Sequence, residues 1–507
     1  MTPPWNFPVA IPAGSALAAL AAGSAVILKP APATKRCAAV LAEALWASGI
    51  PRDVLTLVDC EEDPVGSALV RDERVDQIIL TGAFETAALF CRLRPGARLL
   101  AETSGKNAII VTPSADLDLA VRDVVQSAFG HAGQKCSAAS LVVLVGSVGR
   151  SRRFLTQLRD AASSLAIAAP QDLASQMGPV IEAPRGKLLD ALTRLERGES
   201  WMLKPRALNP EQTLWSPGIR TDVQFASPAH LTEFFGPMLS VMMVPTLDAA
   251  IDAVNAVDYG LTSGLQSLDP QEIDRWLSRI DAGNLYVNRG ITGAIVRRQP
   301  FGGWKLSAVG PGAKAGGPHY VERLSGWTGT AEPDHDAWME ALVESLATDY
   351  QPSDASGLES ERNVTRYVPA RAELRVGEGA DTRDVERVAA AAALGSPGTV
   401  VTFAAMPDAA LAEALASSGL IVTVESDAAW TARITRQTWA RVRALGAVPA
   451  GARTASVTLF ADPVTASGRL ELFPFLREQA ISMTAHRFGT PTPLAQTVDL
   501  AASRSAS

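Results

Sequence analysis

The chain has 507 residues and a formal net charge of −7, with the composition of an ordinary soluble protein. That length suits about two to three domains with large cores, and the acidic balance argues against a nucleic-acid partner. The four cysteines, at 37, 60, 91 and 136, show neither metal nor disulfide spacing and the five histidines are scattered, so no metal site is expected and a reducing cytoplasm fits.

The start, Met-Thr-Pro-Pro-Trp, lacks the basic residues of a signal peptide. Residues 9–28 carry no charge and formally reach membrane-span length. Pro12, Gly14 and Gly23 interrupt them, however, and Ala and Ser dominate. A helix over 10–22 and a buried strand over 25–28 explain the stretch better, and no membrane crossing is expected. Helices are then predicted over 34–48, 65–71 and 84–93, alternating with strands over 54–58, 77–80 and 98–101. Uniformly apolar strands alternating with helices indicate an α/β fold, with a parallel sheet covered on both faces. Such sheets bind ligands beyond the carboxyl ends of their strands. Lys29, Thr81-Gly82 and Glu102 fall at such ends.

The stretch 101–137 carries the chemistry. Glu102 precedes a Ser-Gly turn, and Cys136 lies in Gly133-Gln134-Lys135-Cys136-Ser137. A strand over 108–111 and a helix over 116–129 separate them. A thiol attacks as thiolate, a minority species at neutral pH for a free pKa of about 8.5. Lys135 is expected to favour the anion, and a carboxylate can take the thiol proton or one from attacking water. Taken alone, the pair also suits a packed cysteine and a surface glutamate.

Glu-Thr-Ser-Gly-Lys-Asn at 102–107 and Gly-Gln-Lys-Cys-Ser at 133–137 together resemble the active site of the aldehyde dehydrogenase superfamily. The resemblance implies that fold, with a Rossmann-like cofactor domain and an α/β catalytic domain. It makes Cys136 the nucleophile and Glu102 the general base. Asn6, in Pro-Trp-Asn-Phe-Pro, becomes the oxyanion-hole amide. NAD is the implied cofactor, held by Lys29, Thr81, Gly82, Glu233 and Phe235. Glu233 and Phe235 belong to Glu-Phe-Phe-Gly-Pro, which resembles the block that holds the nicotinamide ribose. Two departures stand out. Ala83 and Ala87 replace the serine and last glycine of the phosphate turn, and Pro32 replaces the ribose-binding glutamate after Lys29. No Gly-x-Gly-x-x-Gly is present.

Further along, strands over 141–145, 399–404, 420–424 and 455–460 are predicted. Helices are predicted over 152–165, 183–195, 336–347, 409–417 and 428–445. Asn288-Arg289 with Ile291-Thr292-Gly293-Ala294, Gln299-Pro300-Phe301-Gly302-Gly303 and Ala315-Gly316-Gly317-Pro318-His319-Tyr320 narrow the resemblance. They are similar to L-glutamate γ-semialdehyde (Δ1-pyrroline-5-carboxylate) dehydrogenases, and more so to the dehydrogenase half of bifunctional proline utilization A proteins. This implies L-glutamate γ-semialdehyde as substrate. Gly293 and Ala294 would supply N–H groups to its carboxylate and Ser137 a hydroxyl, while Phe7 and Phe301 flank its aliphatic middle. A turn with free N–H groups can hold a carboxylate without a buried arginine.

Residues 1–104 are therefore expected to form a partial NAD-binding domain, 105–303 the catalytic domain and 304–327 a return and oligomerisation segment. A linker is expected over 328–363. A C-terminal aldehyde-dehydrogenase-like domain without a nucleophile is expected over 364–507. The family carries a long segment before Pro-Trp-Asn-Phe-Pro, so the chain reads either as a fragment of a longer bifunctional protein or as a remnant, with a proline dehydrogenase module as one candidate partner and a homo-oligomeric state expected. A non-enzymatic assembly or channelling module and a cofactor-free thiol esterase remain open beside the dehydrogenase.

Overall fold

The computed structural model describes residues 1–327 and 333–501. Positions 328–332 of the expected linker and 502–507 of the expected C-terminal domain lie outside the described residues.

Residues 1–104 and the return segment build one hydrogen-bonded row of strands. Leu55–Leu57 pairs in parallel with Val26–Leu28. Met1 and Thr2 come next, bonded to Ile27 and Lys29 on one side and to Ile79 and Thr81 on the other. Gln77–Thr81 and Arg98–Glu102 continue the row in parallel, and Ala308–Val309 closes it antiparallel. Strand Arg98–Glu102 runs one residue further than predicted. Its end residue is thus Glu102, hydrogen-bonded through its carbonyl to Gly82.

The main sheet has nine strands among the described residues. In spatial order they are Glu361–Pro369, Leu476–Thr484, Asn284–Val287, Thr262–Gln266, Asn107–Val111, Ala139–Val145, Met238–Val244, Gly218–Thr221 and Ser200–Leu203. Only the two edge strands run antiparallel to their neighbours. Asn107–Val111 is buried at every position, as a central strand covered on both faces must be. Helix Leu247–Asn255 packs on it, while helix Leu117–Phe129, capped by the Asp116 carboxylate on the Leu119 N–H, packs on the neighbouring strand Ala139–Val145.

Two strands of this sheet, Glu361–Pro369 and Leu476–Thr484, come from the C-terminal part of the chain. The expected boundary at 363/364 falls inside the first of them. The expected linker also holds a capped helix, His335–Thr348, whose Trp338 and Leu342 are buried in the C-terminal core. Between these elements lies a parallel five-strand sheet in the order Ile421–Val424, Val400–Phe403, Ala372–Val376, Ala440–Leu445, Val457–Phe460. That is a doubly wound order, with its switch point between Ala372–Val376 and Ala440–Leu445. The crevice there is closed by the chain itself, through Gly377 N–H to the Leu445 carbonyl and Ala447 N–H to the Glu378 carbonyl.

The single helix expected over 428–445 is not formed. Helix Asp427–Ile434 ends early, and Ala440–Leu445 is a strand. Its alternation puts Arg441 and Arg443 on one face. Arg443 pairs with the buried Glu471 at 3.0 Å, and Arg441 donates to the carbonyls of Phe473, Pro474 and Leu476. Two arginines that read as a polar helix stripe are instead satisfied inside the protein.

Candidate active site

Asn107, the last residue of Glu-Thr-Ser-Gly-Lys-Asn, ties the cysteine turn to the main sheet. Its Nδ2 donates to the carbonyls of Cys136 at 2.6 Å and Ala138 at 3.0 Å, and its Oδ1 accepts the Thr262 N–H at 3.0 Å. Gln134 holds the other side, donating to the Phe235 carbonyl at 3.3 Å and accepting the Ile181 N–H at 3.0 Å. The chain enters this turn through three successive left-handed residues, His131, Ala132 and Gly133, at φ 59, 52 and 67°. A Cβ on Gly133 would lie 2.2 Å from the Gly236 carbonyl oxygen. We expect Gly133→Ala to force the Glu-Phe-Phe-Gly-Pro loop away from the cysteine turn, costing about 3 kcal/mol of stability. Thermal unfolding beside the unaltered protein measures it.

A cavity of about 870 Å³ opens above the turn. Cys136, Glu102 and Asn6 all line it. Asn6 is buried and donates one Nδ2 hydrogen to the Gln134 carbonyl at 3.1 Å, leaving the amide's second hydrogen for the cavity. Of the residues associated with the cofactor, Thr81, Gly82, Glu233 and Phe235 line the same cavity. Of those associated with substrate, Ser137, Phe7, Phe301, Gly293 and Ala294 do. Phe7 stacks on His131 with its centroid 5.9 Å away, and Gly293 takes a left-handed φ of 88° with open space where a side chain would be. Lys29 is the exception. It follows strand Val26–Leu28, but is not among the residues lining the cavity, and its side chain packs against Gly66.

Lys135 and a Cys136 thiolate attract each other, as the sequence suggests, but burial and two facing acids outweigh that attraction. Burial first, then the charges of Glu233 and Glu102, push the Cys136 thiol up to about 12, against the N–H groups of Ser137 and Cys136. The resting thiol is therefore protonated, and a base must take its proton. Burial, followed by the nearby Glu478 charge, pushes Glu102 up to about 8, while Lys314 and the Gly303 N–H pull it down. Glu102 Oε2 accepts that N–H at 3.4 Å. Burial likewise raises Glu233, whose Oε1 accepts the Gly105 N–H at 3.0 Å.

Several contributors escaped the sequence reading. Lys314, in the Gly-rich return loop, is buried with Nζ on Asn284 Oδ1 at 2.9 Å and on the Gly302 carbonyl. Glu478, from strand Leu476–Thr484, accepts the Lys314 backbone N–H at 2.9 Å. Both line the cavity, as does Lys187 from helix Gly186–Thr193. Lys106 is buried 5.1 Å from the centre of the Phe234 ring, and burial lowers it to about 7. Only the fold reveals the Lys314–Glu478 contact, because 164 residues separate its partners. We expect Lys314→Met, checked for folding by circular dichroism, to remove the cation beside Glu102. The carboxyl would then rise further, moving the pH limb of turnover by about one unit to higher pH.

Among the described residues no group of His, Cys, Asp or Glu has the arrangement to hold a metal ion, and no helix is long and apolar enough to cross a membrane.

The chain is similar to several known proteins. The chain is 39% identical over 337 residues to a bifunctional protein PutA of Klebsiella aerogenes, covering 63% of this chain and 25% of that one. It is 36% identical over 330 residues to a 1-pyrroline-5-carboxylate dehydrogenase of Geobacillus thermodenitrificans, covering 63% of each. The chain thus spans less than two thirds of the length of these relatives. Among solved structures, proline utilization A of Corynebacterium freiburgense superposes with a TM-score of 0.83 at 44% identity, covering 96% of this chain and 50% of that one. A 1-pyrroline-5-carboxylate dehydrogenase from Thermus with bound NAD gives 0.57 at 34% identity, covering 64% and 63%. The family model for the aldehyde dehydrogenase family matches residues 2–328, the segment that carries the cysteine turn, Glu102 and the return loop, and the chain belongs to that family.

Proposed function

We propose that this chain oxidises L-glutamate γ-semialdehyde to L-glutamate with NAD. The observation that carries the reading is one cavity lined by Cys136, Glu102 and Asn6 and, beside them, by the Gly293-Ala294 turn. The relatives named 1-pyrroline-5-carboxylate dehydrogenase support the substrate, and the NAD-bound Thermus structure supports the cofactor.

The residues present fit the nicotinamide half of the cofactor. Glu233 offers a carboxylate to a ribose diol, and Phe235 offers an aromatic ring in the same cavity. Gly82 and Ala83 lead into helix Phe84–Leu93, where Ala83 offers no capping side chain and Ser104 Oγ accepts only the Phe84 N–H at 3.4 Å, a setting suited to phosphate. When bound, NAD accepts hydride from the aldehyde carbon. The chain does the rest. Glu102 takes the thiol proton, and Cys136 Sγ bonds to the carbonyl carbon. Asn6 Nδ2 and the Cys136 N–H donate to the alkoxide, each worth roughly 3 kcal/mol at the transition state. Glu102 gives that proton up to solvent, and once the thioester stands on Cys136 it takes a proton from water as the water oxygen attacks, returning it to the Cys136 thiolate as the sulfur departs. The C–S bond breaks and the carboxylate product leaves. Passing through a thioester divides one difficult oxidation into two easier steps.

The relative from Corynebacterium is about twice as long, which supports a place for this chain beside a proline dehydrogenase unit. Four free cysteines support a reducing cytoplasm. A second reading, a module that keeps the fold for assembly or channelling, is favoured by Lys29 lying outside the cavity. Absorbance of NADH decides between them. Purified protein with NAD and glutamate semialdehyde forms NADH under the first reading and none, though folded, under the second.

A further inference from the structure

The segment that presents Gly293 and Ala294 is tied to the protein from its far side. Gln299 closes it, its Oε1 accepting the Ile295 N–H at 3.0 Å and its backbone N–H donating to the Ile295 carbonyl at 2.9 Å. The other end of the Gln299 amide points into the C-terminal part of the chain. Its Nε2 donates to Asn363 Oδ1 at 2.7 Å and to Ser482 Oγ at 3.1 Å, and Ser482 Oγ donates to Asn363 Oδ1 at 2.7 Å. All three side chains are buried, at 2% exposure for Gln299 and Asn363 and 0% for Ser482.

The placement follows from strand register. Asn363 and Ser482 stand directly opposite each other on the antiparallel pair Glu361–Pro369 and Leu476–Thr484. Two-residue periodicity puts Ser482 on the same face as Glu478, the residue that holds the Lys314 backbone. One face of one C-terminal strand therefore touches both loops around the cavity. Glu361 adds ion pairs to Arg289 and to Arg298, which flank the same segment. Gly293 and Ala294 themselves are exposed on the cavity side. Asn363 and Ser482 lie outside the family-matched residues 2–328.

We propose that Asn363 and Ser482 are positioning residues which, through Gln299, hold the Gly293-Ala294 N–H groups in place for the far carboxylate of the substrate. The C-terminal part of the chain thereby sets selectivity for carboxylate-bearing aldehydes. A buried amide with all its partners met fixes a loop more sharply than apolar packing does, because any displacement leaves polar groups unpaired. This rests on the function proposed above and adds to it the source of the selectivity.

The test uses the full chain with Asn363→Ala and, as the milder change, Ser482→Ala. Each is assayed on glutamate semialdehyde and on propanal, which has no carboxylate. The expected result is a rise of roughly tenfold in KM for the semialdehyde, with a far smaller change for propanal. Unchanged discrimination between the two aldehydes, or an equal loss on both, overturns the proposal. Calorimetric binding of L-glutamate gives a readout that needs neither cofactor nor hydride transfer, and both variants are expected to bind it more weakly. An unaltered protein that neither oxidises the semialdehyde nor binds L-glutamate overturns the parent reading, and this one with it. An active protein whose variants keep both glutamate binding and selectivity overturns this proposal alone.

Discussion

Cys136→Ser lowers aldehyde turnover by about four orders of magnitude or more, the loss typical of removing a covalent nucleophile. The change is nearly isosteric. The contacts that hold the turn run to the Cys136 backbone carbonyl and to Gln134, so the variant keeps its fold. What it loses is a group that can be ionised at all in this enclosure. The thiol is already pushed up to about 12, and a hydroxyl in the same place starts several units higher. Steady-state NADH formation beside a thermal melt separates lost chemistry from lost structure. Residual activity within about tenfold of the unaltered protein would remove Cys136 from the mechanism.

Glu102→Gln is expected to lower turnover by roughly 10² to 10⁴-fold, the usual worth of a positioned base. Its pH signature is more telling than its size. Burial holds Glu102 well above the usual carboxylate range by disfavouring its charged form. Only the carboxylate accepts a proton, so turnover of the unaltered protein rises with pH through that raised titration and levels off above it. The glutamine still accepts the Gly303 N–H but cannot titrate, so that limb disappears. A limb that survives in the variant would assign the titration to another group.

Motifs that lie close in sequence were readable because local chemistry dictates them. Cys136 and Glu102 each sit in a block whose glycines and amides have a visible geometric purpose, as the Gly133 and Asn107 contacts show. Their partners were harder. Lys314 and Glu478 meet only because the return loop crosses the last strand of the main sheet, a contact with no local signature. How strongly the site opposes ionisation of Cys136 was hidden for a similar reason. An adjacent lysine is visible in sequence, whereas the burial of the thiol and the closeness of Glu233 are not. The C-terminal part was legible as α/β, but its topology was not. Alternating arginines at 441 and 443 look alike in a surface helix and in a strand whose charges are met by Glu471 and backbone carbonyls. The reach of its strands into the main sheet, and so to the substrate segment, is a tertiary fact.

A covalent mechanism requires an acyl group carried by Cys136. Rapid acid quenching of the protein during its first turnover with NAD and glutamate semialdehyde, followed by peptide mass mapping, would find it. A glutamyl acyl group is expected on the peptide that contains Cys136, formed in step with NADH. NADH appearing while that peptide stays unmodified throughout would contradict the covalent mechanism.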